Sequence, residues 1–177
     1  MTTVISGTNR KNSRTYQIST FYKKLLKESD IDCNILSLDE LPTDIINTDL
    51  YGFRSEGFKP IQDIVSKNKT FIFVIPEYNG SFPGVLKTFI DCCEFPISFY
   101  GKRAVLVGLS SGKYGNIRGI DHFTGICNYI GMEVLPLKIH ISHIAQELNE
   151  EGELFKEDTL RFVKEQVGKI KVMNFEL

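Results

Sequence analysis

The chain lacks the features that mark several large classes of protein. No apolar run approaches the roughly 20 residues needed to span a bilayer. The opening Met1-Thr2-Thr3-Val4-Ile5 has no charged-then-apolar secretory profile, so the expected compartment is the cytoplasm. Net charge is nearly absent, −1 over 177 residues. That argues against a phosphate-tracking surface for nucleic acid and against the strongly acidic docking face of an electron carrier. The four cysteines are Cys33, Cys92, Cys93 and Cys127. None forms a CxxC pair or a zinc spacing, and none has an Arg six positions on, as a phosphatase nucleophile would. Reduced, mostly buried thiols are expected. The dinucleotide pattern GxGxxG and the Walker pattern GxxxxGK[ST] are both missing. Ser6-Gly7 stands at the end of the first strand, where a receiver domain would carry clustered acids.

What is present is an alternation of apolar runs and helical patterns, the signature of βαβ units. Thr3-Val4-Ile5 reads as the first strand, and Ile18, Phe21, Tyr22, Leu25 and Leu26 then recur at helical spacing. Cys33–Leu38 reads as a second strand. A long stretch without periodicity follows, from about Asp39 to Phe58, and then a short helix with Ile61, Ile64 and Val65. Thr70–Ile75, apolar from Phe71 on, suits a central strand covered on both faces. Pro83 suits the first turn of a helix, whose buried stripe is Leu86, Phe89, Ile90 and Cys93. Arg103–Leu109 is the fourth strand. Ile120, Phe123, Cys127 and Ile130 mark the next helix, closed by Gly131. Glu133–Ile141 is a fifth strand region interrupted at Pro136, and Leu160, Val163, Val167 and Ile170 define the last helix. The expected fold is α/β, a flavodoxin-like, doubly wound, five-stranded parallel sheet of order 2-1-3-4-5, with residues 1–177 as one domain.

In such sheets ligands bind beyond the carboxyl ends of the strands, where the strand order reverses. Strands one, three and four are neighbours in this order, so three polar loops converge: Ser6–Thr15, Pro76–Phe82 and Ser110–Gly119. The first, Ser6-Gly7-Thr8-Asn9-Arg10-Lys11-Asn12-Ser13-Arg14-Thr15, leads into a helix and is full of hydroxyls, amides and cations. A phosphate ester needs that combination of exposed N–H groups and positive charge; the plain alternative is a solvated turn that caps a helix. In the second loop Asn79-Gly80 is a turn dipeptide and Tyr78 offers an aromatic face, with helix entry capped by Asn79 or Ser81 as the plain alternative. His140 and His143 fall on opposite faces of a strand and read as structural. Cys92-Cys93 reads as helix packing. The stretch Tyr51–Phe58 carries aromatics that either cover a partner's site or pack on their own domain.

The SGTNRKNSRT loop together with the PEYNGSFPGVLKTFID run resembles the NADPH-dependent FMN reductase family of flavodoxin-like proteins, which includes flavin, quinone, azo-dye and chromate reductases. The likeness runs from Val4 to about Leu137. It implies FMN held without a covalent link, its phosphate on Thr8, Arg10, Ser13 and Thr15. The ring would be bordered by Pro76, Glu77, Tyr78, Asn79 and Gly80, and by Ser110, Ser111 and Gly112 of the third loop. NADPH or NADH would donate a hydride, a flavin, quinone or other small molecule would accept electrons, and no side-chain acid or base is obligatory. The resemblance also implies a homodimer or homotetramer paired through the helix after the second loop, with Phe89, Cys92, Phe95 and Phe99 as candidate surface. Neither nucleic acid nor membrane is an expected partner. Two positions depart from the family pattern. Members often carry a glycine pair further along the third loop, where this chain has Lys113-Tyr114-Gly115-Asn116. Asn12 stands in place of a common glycine, which a left-handed Asn accommodates. The competing reading is a flavin-binding electron carrier or sensor with little reductase activity.

Overall fold

The computed structural model describes residues 1–52 and 55–175. In chain order the elements are β1 (Thr2–Ser6), α1 (Arg14–Glu28), β2 (Cys33–Ser37), α2 (Ile45–Thr48), α3 (Lys59–Lys67), β3 (Thr70–Pro76), α4 (Gly84–Cys92), β4 (Arg103–Leu109), α5 (Ile117–Tyr129), β5 (Glu133–Val134), β6 (Ile139–Ile141) and α6 (Glu157–Phe175). The sheet is parallel, with order β2-β1-β3-β4-β5, and β6 also pairs with β4. The expected order 2-1-3-4-5 is therefore the observed one.

The sheet divides the core in two, as the period-2 geometry of strands requires. Ile5, Phe71, Phe73, Ile75, Ala104 and Leu106 face one side and pack with Phe89 and Phe123 of α4 and α5. Val4, Ile72, Val74, Val105 and Val107 face the other and pack with Ile18 of α1 and Val163 of α6. Every residue of β1 and β3 is buried, the signature of central strands in a three-layer sandwich.

Local rules place the helix ends. Ser13 is the N-cap of α1, its Oγ accepting from Tyr16 N at 3.2 Å. Gly131, with φ 77°, lies just past the end of α5. The fifth strand region is broken as expected: β5 pairs with the start of β4 and β6 with its end. The break has a repair. Glu133 N donates to Lys102 O and Leu135 N to Ala104 O. Next in that ladder, Leu106 O takes its donor from Gln166 Nε2 of α6, which also donates to Leu137 O at 2.8 Å, while Tyr22 Oη donates to Gln166 Oε1 at 2.7 Å.

Three expectations need correction. The stretch from Asp39 to Phe58 is not simply loop, since Leu38–Glu40 and α2 form single helical turns. Buried Leu38, Ile45 and Phe58 hold it against the α3–α4 face, and single turns are too short to show periodicity. Phe58 packs on its own domain and Tyr51 is exposed; Phe53 and Arg54 lie outside the described residues. Pro83 is the residue before α4 rather than inside its first turn, and Cys93 follows the last helical residue. Finally, Phe89, Cys92 and Phe99 are not available as a partner surface. All three are buried in the α3–α5 core, because the chain after α4 turns back and sets the Phe99 ring 5.6 Å from Phe71 and 6.3 Å from Phe89. Of the four candidates only Phe95 is exposed.

Candidate functional site

The C-terminal ends of β1, β3 and β4 lie side by side, and the three loops that leave them surround one cleft of about 440 Å³. The first loop leaves β1 tightly: Gly7 N donates to Val74 O, and a Cβ on Gly7 would stand 2.8 Å from that oxygen. Asn12 has φ 51°, so the left-handed conformation expected of it is present. Ser13 then caps α1, leaving its own hydroxyl proton free to be donated, and Thr15 follows in the first turn. Arg10, Ser13 and Thr15 all line the cleft, with Arg14 and Asn12 beside them. Two guanidinium groups and a helix N-terminus give this wall the chemistry that suits an anion.

The second loop is a two-residue hairpin. Tyr78 N donates to Ser81 O and Ser81 N to Tyr78 O, with Asn79 at φ 52° and Gly80 at φ 77°. Positive φ at both central positions is the type I′ geometry that Asn-Gly favours. Pro76, Glu77 and Tyr78 line the cleft, whereas Asn79 and Gly80 form the hairpin tip and do not. Thr8 does not line it either. It is buried, its Oγ1 2.8 Å from Tyr78 Oη and accepting from Arg10 N, so this hydroxyl ties the first loop to the second.

The third loop is held from within. Ser110 Oγ donates to Gly112 O at 2.9 Å and accepts from Gly115 N at 3.0 Å. The segment after β6 fastens its outer side: Ile144 N donates to Ser110 O and His143 N to Gly112 O. Ser110 and Ser111 line the cleft and Gly112 does not. Gln17, Leu109 and Ile144 line it too, although no sequence motif singled them out; Leu109 was visible only as the end of a strand.

The remaining chemistry-bearing residues lie elsewhere. His140 sits in β6 with its ring near Gly115 O, and burial holds its pKa below the ordinary value. Among the described residues there is no group of three or more potential metal ligands. Cys33 and Cys127 are free thiols, and burial pushes Cys127 up to about 12, so that thiol stays protonated. No helix is long and apolar enough to cross a membrane among the described residues.

A doubly wound parallel sheet with a cationic, helix-capped cleft at its switch point defines a flavodoxin-like, mononucleotide-binding α/β protein. Comparison with known proteins narrows the class. Residues 2–146 match the family of NADPH-dependent FMN reductases, and the chain belongs to that family. It is similar to the 2-hydroxy-1,4-benzoquinone reductase of a Burkholderia species, 25% identical over 165 residues, 91% of this chain and 88% of the relative. A quinone reductase of Pseudomonas putida is 30% identical over 123 residues, 67% of this chain and 64% of that one. Among solved structures, the NAD(P)H:acceptor oxidoreductase FerB of Paracoccus denitrificans superposes with a TM-score of 0.81 at 24% identity, covering 96% of this chain and 94% of that one. The protein is an NAD(P)H-dependent oxidoreductase whose cofactor is FMN.

The residues present fit that cofactor. The cationic wall with the α1 N-terminus suits a phosphate dianion, and Pro76, Tyr78, Leu109 and Ile144 offer an apolar wall to a flat ring in the same cleft.

Proposed function

We propose that the cleft formed by the three loops holds FMN and serves in turn a nicotinamide nucleotide and a small planar acceptor of the quinone or flavin class. One observation carries this reading: residues from all three loops, far apart in sequence, line a single continuous cleft. Arg10 and the α1 N-terminus neutralise the phosphate, while Ser13 and Thr15 donate hydroxyl protons to it. Thr8 supports that wall through Tyr78. Pro76, Glu77 and Tyr78 border the ring, with the Asn79-Gly80 turn presenting backbone donors at its rim. Ser110 and Ser111 close the opposite side, with Gly112 behind them held by the Ser110 hydroxyl. Bound FMN supplies the hydride-accepting and electron-releasing chemistry. The protein contributes positioning and N–H donors aimed at developing negative charge, and no side chain is asked to move a proton.

The quinone reductases among the relatives support this acceptor class. One cleft serving donor and acceptor in turn gives ping-pong kinetics. The chain acts as one domain over residues 1–177, in the cytoplasm, as a homodimer or homotetramer.

The test is the visible spectrum of protein reconstituted with FMN and desalted, recorded before and after anaerobic NADPH. A retained flavin band that bleaches with NADPH or NADH, and returns on adding a benzoquinone, is expected. A retained band that neither nucleotide bleaches would make the protein a carrier or sensor, and no retained band would remove FMN from the cleft.

A further inference from the structure

The third loop is fastened from behind by a side chain that does not line the cleft. Asn116 is fully buried and adopts φ 63° and ψ 33°, the left-handed conformation, immediately before α5. Its Nδ2 donates to Ile75 O at 3.0 Å, and Ile75 directly precedes Pro76. Packing around this amide is close on every side. A Cβ at Gly119 would lie 2.1 Å from Asn116 Oδ1 and 2.7 Å from the carbonyl carbon of Ser81, and a Cβ at Gly108 would lie 2.4 Å from Gly115 O. The third loop, the end of β3 and the hairpin after it therefore meet around one residue, and its amide joins the first of them to the second.

Stability alone does not account for an asparagine here. The left-handed conformation is open to Gly without strain and to Asn or Asp at modest cost. Glycine would also avoid the buried Oδ1, which has no hydrogen-bond partner. What asparagine adds over glycine is the bond to Ile75. The backbone bond from Glu77 N to Leu109 O at 2.9 Å already joins the ends of the two strands, and the Asn116 bond adds a second tie, from the end of the third loop to the residue before Pro76.

We propose that Asn116 is a positioning residue for the flavin ring, its amide holding the two ring walls at their working separation before FMN enters. The inference rests on the reading of the cleft as the FMN site. Its physical basis is preorganisation: a loop already fixed in its bound position loses no conformational freedom on binding, so affinity falls when the tie is cut.

Asn116→Gly is the discriminating variant, because it keeps the left-handed backbone and removes the whole side chain with its bond to Ile75. FMN is titrated into the apoprotein and followed by quenching of flavin fluorescence, alongside the melting temperature of the apoprotein, the position of the bound flavin band and kcat at saturating FMN. The expected result is an FMN Kd raised about fivefold to tenfold, the effect of losing one ordinary hydrogen bond, a displaced flavin band and a lower kcat, together with a lower apoprotein melting temperature from the lost buried bond. Asn116→Asp keeps the shape but turns oxygen toward the Ile75 carbonyl, and is expected to bind FMN at least as weakly as Asn116→Gly. A lowered melting temperature with Kd, band position and kcat all at wild-type values overturns the proposal and leaves Asn116 a packing residue. Wild-type protein that fails to bind FMN overturns the reading of the cleft itself, and this inference with it.

Discussion

Arg10 owes its place to residues that carry no charge. Thr8 Oγ1 accepts from Arg10 N, and Asn12 reverses the chain with a positive φ before Ser13 starts the helix. The guanidinium is thereby held at the cleft wall while remaining exposed to solvent. Replacing it with alanine should weaken FMN binding by about 1.5–3 kcal/mol, the range for hydrogen bonds to charged groups, with the lower end favoured by its exposure. Fluorescence titration of FMN into Arg10→Ala reads this directly, and an unchanged Kd would remove Arg10 from the phosphate site. Several features at this scale were legible in advance, because residue type alone restricts backbone conformation: Asn12 and Asn79-Gly80 stand in left-handed geometry as their chemistry suggests. The inward turn of Thr8 toward Tyr78 was not legible, since a hydroxyl in a polar loop looks the same whether it meets a ligand or a tyrosine seventy residues on. Ile144 and Gln17 were invisible for a related reason, as Gln17 belongs to the helical pattern of α1 and Ile144 to the segment after β6, and neither pattern speaks of the cleft.

At the scale of elements, the most exposed point of the sheet is the gap between β5 and β6. Pro136 has no N–H to continue the ladder, so the interruption itself could be read from the sequence. Its repair could not, because a lone glutamine in the pattern of α6 resembles a surface residue. In the fold Gln166 is fully buried, with both Nε2 bonds and the Oε1 bond satisfied. Gln166→Leu would strand the Leu106 and Leu137 carbonyls and the Tyr22 hydroxyl together. At about 1–3 kcal/mol for each unsatisfied buried group, a loss of about 3 kcal/mol or more is expected in urea unfolding, and a change under 1 kcal/mol would show that water or repacking replaces the amide. The misreading of Cys92 has an equally physical origin. A single-stripe count assumes one buried face, whereas the end of α4 is covered a second time by the chain that carries Phe99. Lys102 belongs to this scale as well. Its Nζ donates to Val65 O and Ser66 O at the C-terminal turn of α3, a favourable place for a cation. Burial nevertheless lowers its pKa to about 8 from an ordinary 10.5, with Cys93 opposing the shift. Between those values the unfolded chain binds the proton more fully than the folded one, so stability should rise with pH across this window. Denaturant midpoints at pH 7.5 and 9.5 should show that rise in the wild type and lose most of it in Lys102→Met; equal slopes in both would assign the effect to another group.

For the whole molecule, the charge of −1 leaves association to apolar surface rather than to a field of one sign. One group of exposed apolar side chains lies on the α4–α5 side. Phe95, Ile97, Tyr100 and Tyr129 are exposed, the Phe95 and Tyr100 rings are 6.4 Å apart, and a groove of about 390 Å³ between α4 and α5 is lined by Ile90, Ile126 and Tyr129. Grouped exposed apolar side chains beside a groove suit a contact with another surface. A second copy of the chain is the occupant expected from the family resemblance, seated on these residues rather than on the buried Phe89, Cys92 and Phe99. The same face is mechanically continuous with the cleft: α4 opens two residues after the hairpin, and His122 of α5 bonds to the hairpin through Ser81 at 3.0 Å. Covering α4 and α5 would therefore stiffen the wall that carries Tyr78, and by linkage FMN binding and association should strengthen one another. Light scattering is expected to give a dimer or tetramer for the wild type. Tyr129→Lys, which buries a charge in any such contact, should shift the protein toward monomer and weaken FMN binding at the same protein concentration. A wild type that remains monomeric at high micromolar concentration would sink the interface. A Tyr129→Lys monomer with unaltered FMN affinity would keep the interface and separate it from the cleft.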